Sequence, residues 1–329
     1  MNSKPLLGTV LVGVTCVSMS ACSDGQAASS GSASGSAASA TGPRSVQFVN
    51  PLPNYPQWRL VGDCMKKEAE KRGLKFTESG PTGSLNANVM IQQVQGAIAN
   101  NKSAVVTFPA SDGFAPLLKQ AQAKGIVTAT MYGSGDPTSG ADVNIGPDWT
   151  HLGEIYAQGI AERPGQQNVG LVAVATTGVG KLWIDGFKAA AAKTSNVKIV
   201  GVVVTGDDPA KALPQANALL AAHPEINVIA THMGTPTPGI VAAITAKKLL
   251  GKVVLVGNGP NNGGDKALDS GAAYGMLVQG LCKAGQDAAD GVADKLEGKA
   301  KGQVTTFDVD AKFAKKDDYK QLVAGGQYL

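Results

Sequence analysis

Four cysteines, three histidines and two glycine-rich runs are the residues whose types could do chemistry in this 329-residue chain. The run at 175–181 (ATTGVGK) approaches a phosphate-cradling loop. Its first glycine position is Ala175, and Leu182 stands where a Ser or Thr must reach Mg²⁺, so that chemistry is rejected. No G-x-G-x-x-G follows the first strand, and no G-x-S-x-G elbow occurs. His151, His223 and His232 show no ligand spacing with one another or with a cysteine, so no metal is expected. No nucleophile–base pair or carboxylate pair can be placed, so neither catalysis nor a cofactor is expected. The second run, GNGPNNGG at 257–264, follows an apolar stretch and reads as a turn with backbone groups facing a cleft.

The thiols divide by position. Residues 6–17 are apolar behind Lys4, too short to span a bilayer but suited to an export signal. They lead into Met19, Ser20, Ala21 and Cys22, which resembles a bacterial lipobox. The resemblance implies cleavage after Ala21, a diacylglyceryl group on the Cys22 thiol, and a protein held on the outer face of the cell membrane through lipid alone. Residues 1–21 are then the signal peptide. Residues 22–44 are the lipidated Cys and a Ser/Ala/Gly tether, a flexible coil reaching roughly 25 Å. Cys16 leaves with the signal. Cys64 and Cys282 remain, an even pair in an exported chain, open to two readings: a disulfide or two buried thiols.

The elements that must position these groups come from the rest of the chain. Hydrophobic residues make up 43% and charged residues 16%, enough for a sizeable core. The net charge of +4 is spread out, with no Lys/Arg run longer than two, so no nucleic-acid partner is expected. From Ser45 onward, short apolar runs alternate with helical stripes. Strands are expected at 45–50, 74–78, 104–108, 126–130, 168–175, 197–204, 227–231, 253–257 and 272–278. Val61, Cys64, Met65 and Ala69 mark one face of a helix over 57–72, stopped by Gly73. Continuous apolar strands such as Val253 to Val256 are those of parallel sheets covered on both faces. The fold class is therefore α/β, with two doubly wound lobes.

Six segments carry a wider resemblance: NPLPNYPQW at 50–58, TFPASD at 107–112, DGF at 185–187, LLAAHPE at 219–225, VGNG at 256–259 and VQ at 278–279. In this order, the chain from 45 to 329 resembles the type I periplasmic solute-binding proteins, especially the ribose-binding-like sugar group. The resemblance implies an N-terminal lobe of 45–147 with 280–304, and a C-terminal lobe of 148–279 with 305–329. Three crossings form a hinge that closes on a solute between the lobes. It implies a monomer that delivers its solute to the permease of an ABC importer. The alternative is a receptor that presents a small signal molecule to a membrane sensor. On this topology the helices that start near Gln57 and Leu281 share a face of the first lobe, which suits a Cys64–Cys282 bridge.

The same resemblance implies a site. Trp58 falls where the family stacks an aromatic ring on a sugar; the other reading is a core residue at a helix start. Tyr55 matches a polar contact on that loop, or fills a turn. Gln279 matches a hinge glutamine that can donate and accept. The family's charged anchors are absent. Met131 and Tyr132 replace an Asp-Arg pair, Trp183 replaces an Arg, His232 an Asn, and Asn258 or Gly259 an Asp. Asp207 and Asp208 lie where a side chain faces the cleft, or one of them caps the helix at Pro209. The candidate set is thus Tyr55, Trp58, Tyr132, Trp183, Asp207, His232, Asn258 and Gln279. A cleft so lined is neutral, and favours an uncharged solute, a sugar or polyol, over a phosphorylated or carboxylate one.

Overall fold

The computed structural model describes residues 44–83, 85–132, 140–206, 208–260, 262–306 and 310–329. The signal, Cys22 and Asp207 lie outside the described residues. The first half runs β1 (Ser45–Val49), α1 (Pro56–Lys71), β2 (Lys75–Ser79), α2 (Ala87–Ala99), β3 (Ala104–Thr107), α3 (Phe114–Ala123), β4 (Val127–Met131) and β5 (Val143–Ile145). The second runs α4 (Trp149–Ala161), β6 (Gln167–Ala173), α5 (Gly178–Ala191), β7 (Val197–Val204), α6 (Pro209–Ala222), β8 (Val228–Thr231), α7 (Thr237–Ala246), β9 (Val254–Asn258), α8 (Gly264–Asp269) and β10 (Ala273–Gln279). The chain then returns through α9 (Leu281–Leu296), β11 (Val304–Thr306), β12 (Ala311–Ala314) and α10 (Lys316–Ala324).

The strands form two six-stranded sheets, in the orders β11-β5-β4-β3-β1-β2 and β12-β10-β9-β8-β6-β7. All pairings are parallel except that of β12 with β10. Each sheet is covered on both faces. In the first, α1 and α9 pack on Phe48, Val106 and Val143, while α2 and α3 pack on Val49 and Val105. In the second, α4 and α5 pack on Leu171 and Val256, while α6 and α7 pack on Val172 and Ile229. Burial on both faces is why the strands read as continuous apolar runs.

Local sequence sets the helix ends. Pro56 opens α1, where its missing N–H costs nothing. Asp148 caps α4 by accepting from the amides of Thr150 and His151 at 2.9 and 3.1 Å. Asp208 caps α6 by accepting from Ala210 N at 2.9 Å. Of the two readings of Asp208, the structure shows the cap. The strongest helix–helix contacts depend on missing side chains. A Cβ on Gly186 of α5 would lie 1.9 Å from the Thr150 carbonyl oxygen of α4, and one on Gly285 of α9 would lie 2.3 Å from that of Val61 on α1. Beside that second crossing, Cys64 and Cys282 are joined as a disulfide with Cα atoms 5.2 Å apart. Arg72 extends the same seam, pairing with Asp290 and Asp294 at 2.6 Å each. The last residues lie at the hinge: Gln279 and Leu329 exchange backbone hydrogen bonds of 3.0 and 3.2 Å, and Leu329 packs against the core of the first sheet.

Candidate functional site

In open parallel sheets the carboxyl ends of the strands are where a ligand can meet many loops at once. Here those ends carry Asn50 after β1, Phe108 after β3, Tyr132 after β4, Thr205 after β7 and His232 after β8, while Asn258 and Gln279 close β9 and β10. On the first sheet, the Trp58 ring lies 5.7 Å from Phe108 and 5.3 Å from Tyr132, the latter edge-on. The first turn of α1, which bears Trp58, is clamped from beneath. Buried Asn50 donates through Nδ2 to the Trp58 carbonyl at 3.1 Å and to Glu78 Oε1 at 2.7 Å, and accepts from Leu52 N at 3.0 Å. Tyr132 holds φ at +54°, a left-handed conformation that costs a bulky residue about 1–3 kcal/mol and is found where function over-determines the backbone.

On the second sheet, His232 stacks on Trp183 at 4.7 Å and receives the edge of Trp149 at 5.8 Å. Asn258 Nδ2 donates to the His232 carbonyl at 2.7 Å, and Gln279 Nε2 donates to Asn258 Oδ1 at 3.1 Å. A chain of amides thus fixes three strand ends together. Tyr156 of α4 braces it from below, donating to the carbonyls of Thr231 and Gly257 at 2.9 and 3.0 Å.

Among the described residues, the buried side-chain polar atoms without a protein partner gather at these ends, apart from Gln93 Oε1 on α2. They are the Tyr132 hydroxyl, Trp183 Nε1, both His232 ring nitrogens, the hydroxyls of Thr205 and Thr237, and Gln279 Oε1. Buried polar groups are otherwise paired in native proteins, so each of these atoms calls for a partner from outside the chain. Their inventory is mixed. Trp183 only donates, Gln279 Oε1 only accepts, and the hydroxyls do both. Burial lowers the His232 pKa to about 3 and raises that of Tyr132 well above its usual value, so both are neutral near pH 7. Among the described residues, the other buried acids are the Tyr156 phenol, which burial also holds neutral, and Glu68, on α1 and paired with Lys71 at 2.8 Å. The unpartnered groups at the strand ends therefore hydrogen-bond but carry no charge, while beside them Glu78 at the end of β2 pairs with Arg59 at 2.6 Å and Asp208 caps α6.

The candidates from the sequence fall into place unevenly. Trp58 and Tyr132 meet on the first lobe; Trp183, His232, Asn258 and Gln279 meet on the second. Trp183 is fully buried and also packs on Tyr156 and Phe187, so its indole is core as well as donor. The Tyr55 hydroxyl lies 2.8 Å from Asn262 Nδ2. Sequence reasoning passed over Asn50, Phe108, Thr205 and Thr237. The signal for the first three was position alone: each directly follows a strand.

Residues 46–300 match the family model described as the periplasmic binding protein domain. The chain belongs to this family. No curated protein matches the sequence. Among solved structures, this periplasmic binding protein is similar to GanP, a glucose-galactose binding protein from Geobacillus stearothermophilus. The TM-score is 0.77 at 21% identity, over 84% of this chain and 99% of that one. A solute-binding protein of an ABC transporter from Burkholderia graminis, in complex with D-arabinose, gives a TM-score of 0.73 at 22% identity, over 83% and 96%. One from Agrobacterium vitis, bound with α-D-tagatopyranose, gives 0.76 at 18%, over 86% and 98%. At these identities the likeness is one of fold.

Proposed function

We propose that this protein captures a neutral sugar or polyol between its lobes and hands it to an ABC importer, held at the outer membrane face by a lipid on Cys22. The lobes in this reading are 45–147 with 280–304, and 148–279 with 305–329, hinged where the chain crosses between sheets. The observation that carries it is the uncharged, mixed set of buried donors and acceptors at the strand ends, of which Tyr132 packs against the Trp58 ring. An indole covers the apolar C–H face of a sugar ring, while hydroxyls around its rim satisfy neutral donors and acceptors. Anionic solutes would be left without a cationic partner. The sugars named with the similar structures are of this chemical class.

A thermal-shift screen with D-galactose, D-arabinose, D-tagatose and small polyols tests it. A solute at 100 times Kd adds about 2.7 kcal/mol of stability, a rise of several degrees. Trp58→Ala and Gln279→Ala should each abolish that rise. A rise that survives both substitutions moves the site elsewhere, and no rise with any carbohydrate removes sugar from the reading.

A further inference from the structure

We infer that Tyr55 and Asn262 form a latch between the lobes, so that Tyr55 acts by positioning the cleft for retention of solute rather than by gripping the solute itself. This rests on the solute-capture reading above. Asn262 Nδ2 donates to the Tyr55 hydroxyl at 2.8 Å. Tyr55 is the residue before α1, on the first sheet's side of the cleft, and Asn262 lies between β9 and α8, on the second's. Both are half-buried, so water competes less for the bond.

Each partner is held by its own backbone. Tyr55 N donates to the Leu52 carbonyl at 2.9 Å, its own carbonyl accepts from Arg59 N at 2.8 Å, and Pro56 follows. Asn262 sits at φ +57°, a left-handed position that asparagine tolerates, between Gly259 at +71° and Gly263 at +82°. The surroundings fit the same contact. A Cβ on Gly234 would lie 3.2 Å from the Tyr55 hydroxyl and 3.5 Å from Asn262 Nδ2. One on Gly259 would lie 2.5 Å from Gln57 Nε2. The loops after β8 and β9 thus present bare backbone where the 55–57 turn meets them, and a side chain at Gly234 would press on the Tyr55–Asn262 pair while one at Gly259 would displace the Gln57 amide.

A double-mutant cycle on dissociation kinetics tests the latch. Tyr55→Phe removes the hydroxyl and keeps the ring; Asn262→Gly removes the amide and keeps the left-handed backbone accessible. With D-galactose and D-arabinose as probes, each single variant should raise koff about fivefold, the worth of one net hydrogen bond. The association rate should stay within about twofold, and the double variant should be no worse than either single one. Additive losses would overturn the latch and return Tyr55 to direct contact with solute. Solution scattering of the protein without sugar gives a second reading, since the same N-terminal segment is present in every variant. Both variants should show a larger radius of gyration than the parent, and equal radii count against the latch. If neither sugar binds the parent protein, the thermal-shift screen decides the proposed function and scattering alone decides the latch.

Discussion

His232 shows most directly how burial shapes chemistry at single residues. Its ring is 1% exposed, stacked on Trp183, with neither nitrogen bonded to protein. Burial depresses its pKa from 6.5 to about 3. An unfolded chain therefore takes up a proton below pH 6.5 that the folded one refuses. The stability tied to neutral His232 is present above pH 6.5 and is lost as pH falls from there toward 3. At pH 5 the loss is about 2 kcal/mol. Urea denaturation at pH 7 and pH 5 should show it in the parent protein and a smaller decline in His232→Asn; an equal decline in both would refute the assignment. Sugar affinity should meanwhile stay level from pH 5 to pH 8, because the ring is already neutral across that range. Residue type is what points to a neutral cleft in the sequence, since Tyr132, Trp183 and Asn258 stand where the family resemblance implies charges. The stack of His232 on Trp183 was not legible, because those residues lie 49 positions apart on separate elements.

At the scale of elements, α1 and α9 form one seam that draws on three kinds of interaction. Gly285 lets the backbones meet, Cys64 and Cys282 join them covalently, and Arg72 pairs with Asp290 and Asp294 at its end. The ion pairs are partly exposed, and such pairs contribute at most about 1 kcal/mol each. The disulfide, which closes a separation of 218 residues, contributes more, about 2–5 kcal/mol. Adding dithiothreitol should lower the urea midpoint of the parent protein by that equivalent and leave a Cys64→Ala, Cys282→Ala double variant unaffected. An unchanged parent midpoint would show that the bridge does not hold the seam. Most strands in this fold were visible as apolar runs of four to eight residues. The three-residue β5 and β11 and the four-residue β12 were not, because so few residues carry no period, and their place is set by the strands they pair with.

For the whole molecule, the proposed reading joins an anchored tether to a two-lobed receptor. Cys22→Ala should shift the protein from the membrane fraction to the soluble fraction, with its sugar-dependent thermal shift unchanged. Retention of the variant in membranes would mean that something other than the lipid holds it. Alternation of apolar runs with helical stripes by itself determined the α/β class, because both periods follow from local backbone geometry and the need to cover both faces of a parallel sheet. The loss of charged anchors was also written in residue types alone, whereas Cys64 and Cys282 stayed open there between a disulfide and two buried thiols. Tertiary structure alone decided the rest: that Asn50 at the end of β1 bonds to Glu78 of β2, that the amides of Asn258 and Gln279 bond to each other, and that Tyr55 reaches Asn262 across 207 residues. Each of these is a meeting of strand ends and loops distant in sequence, and such meetings are set by sheet order and lobe closure, which no local pattern encodes.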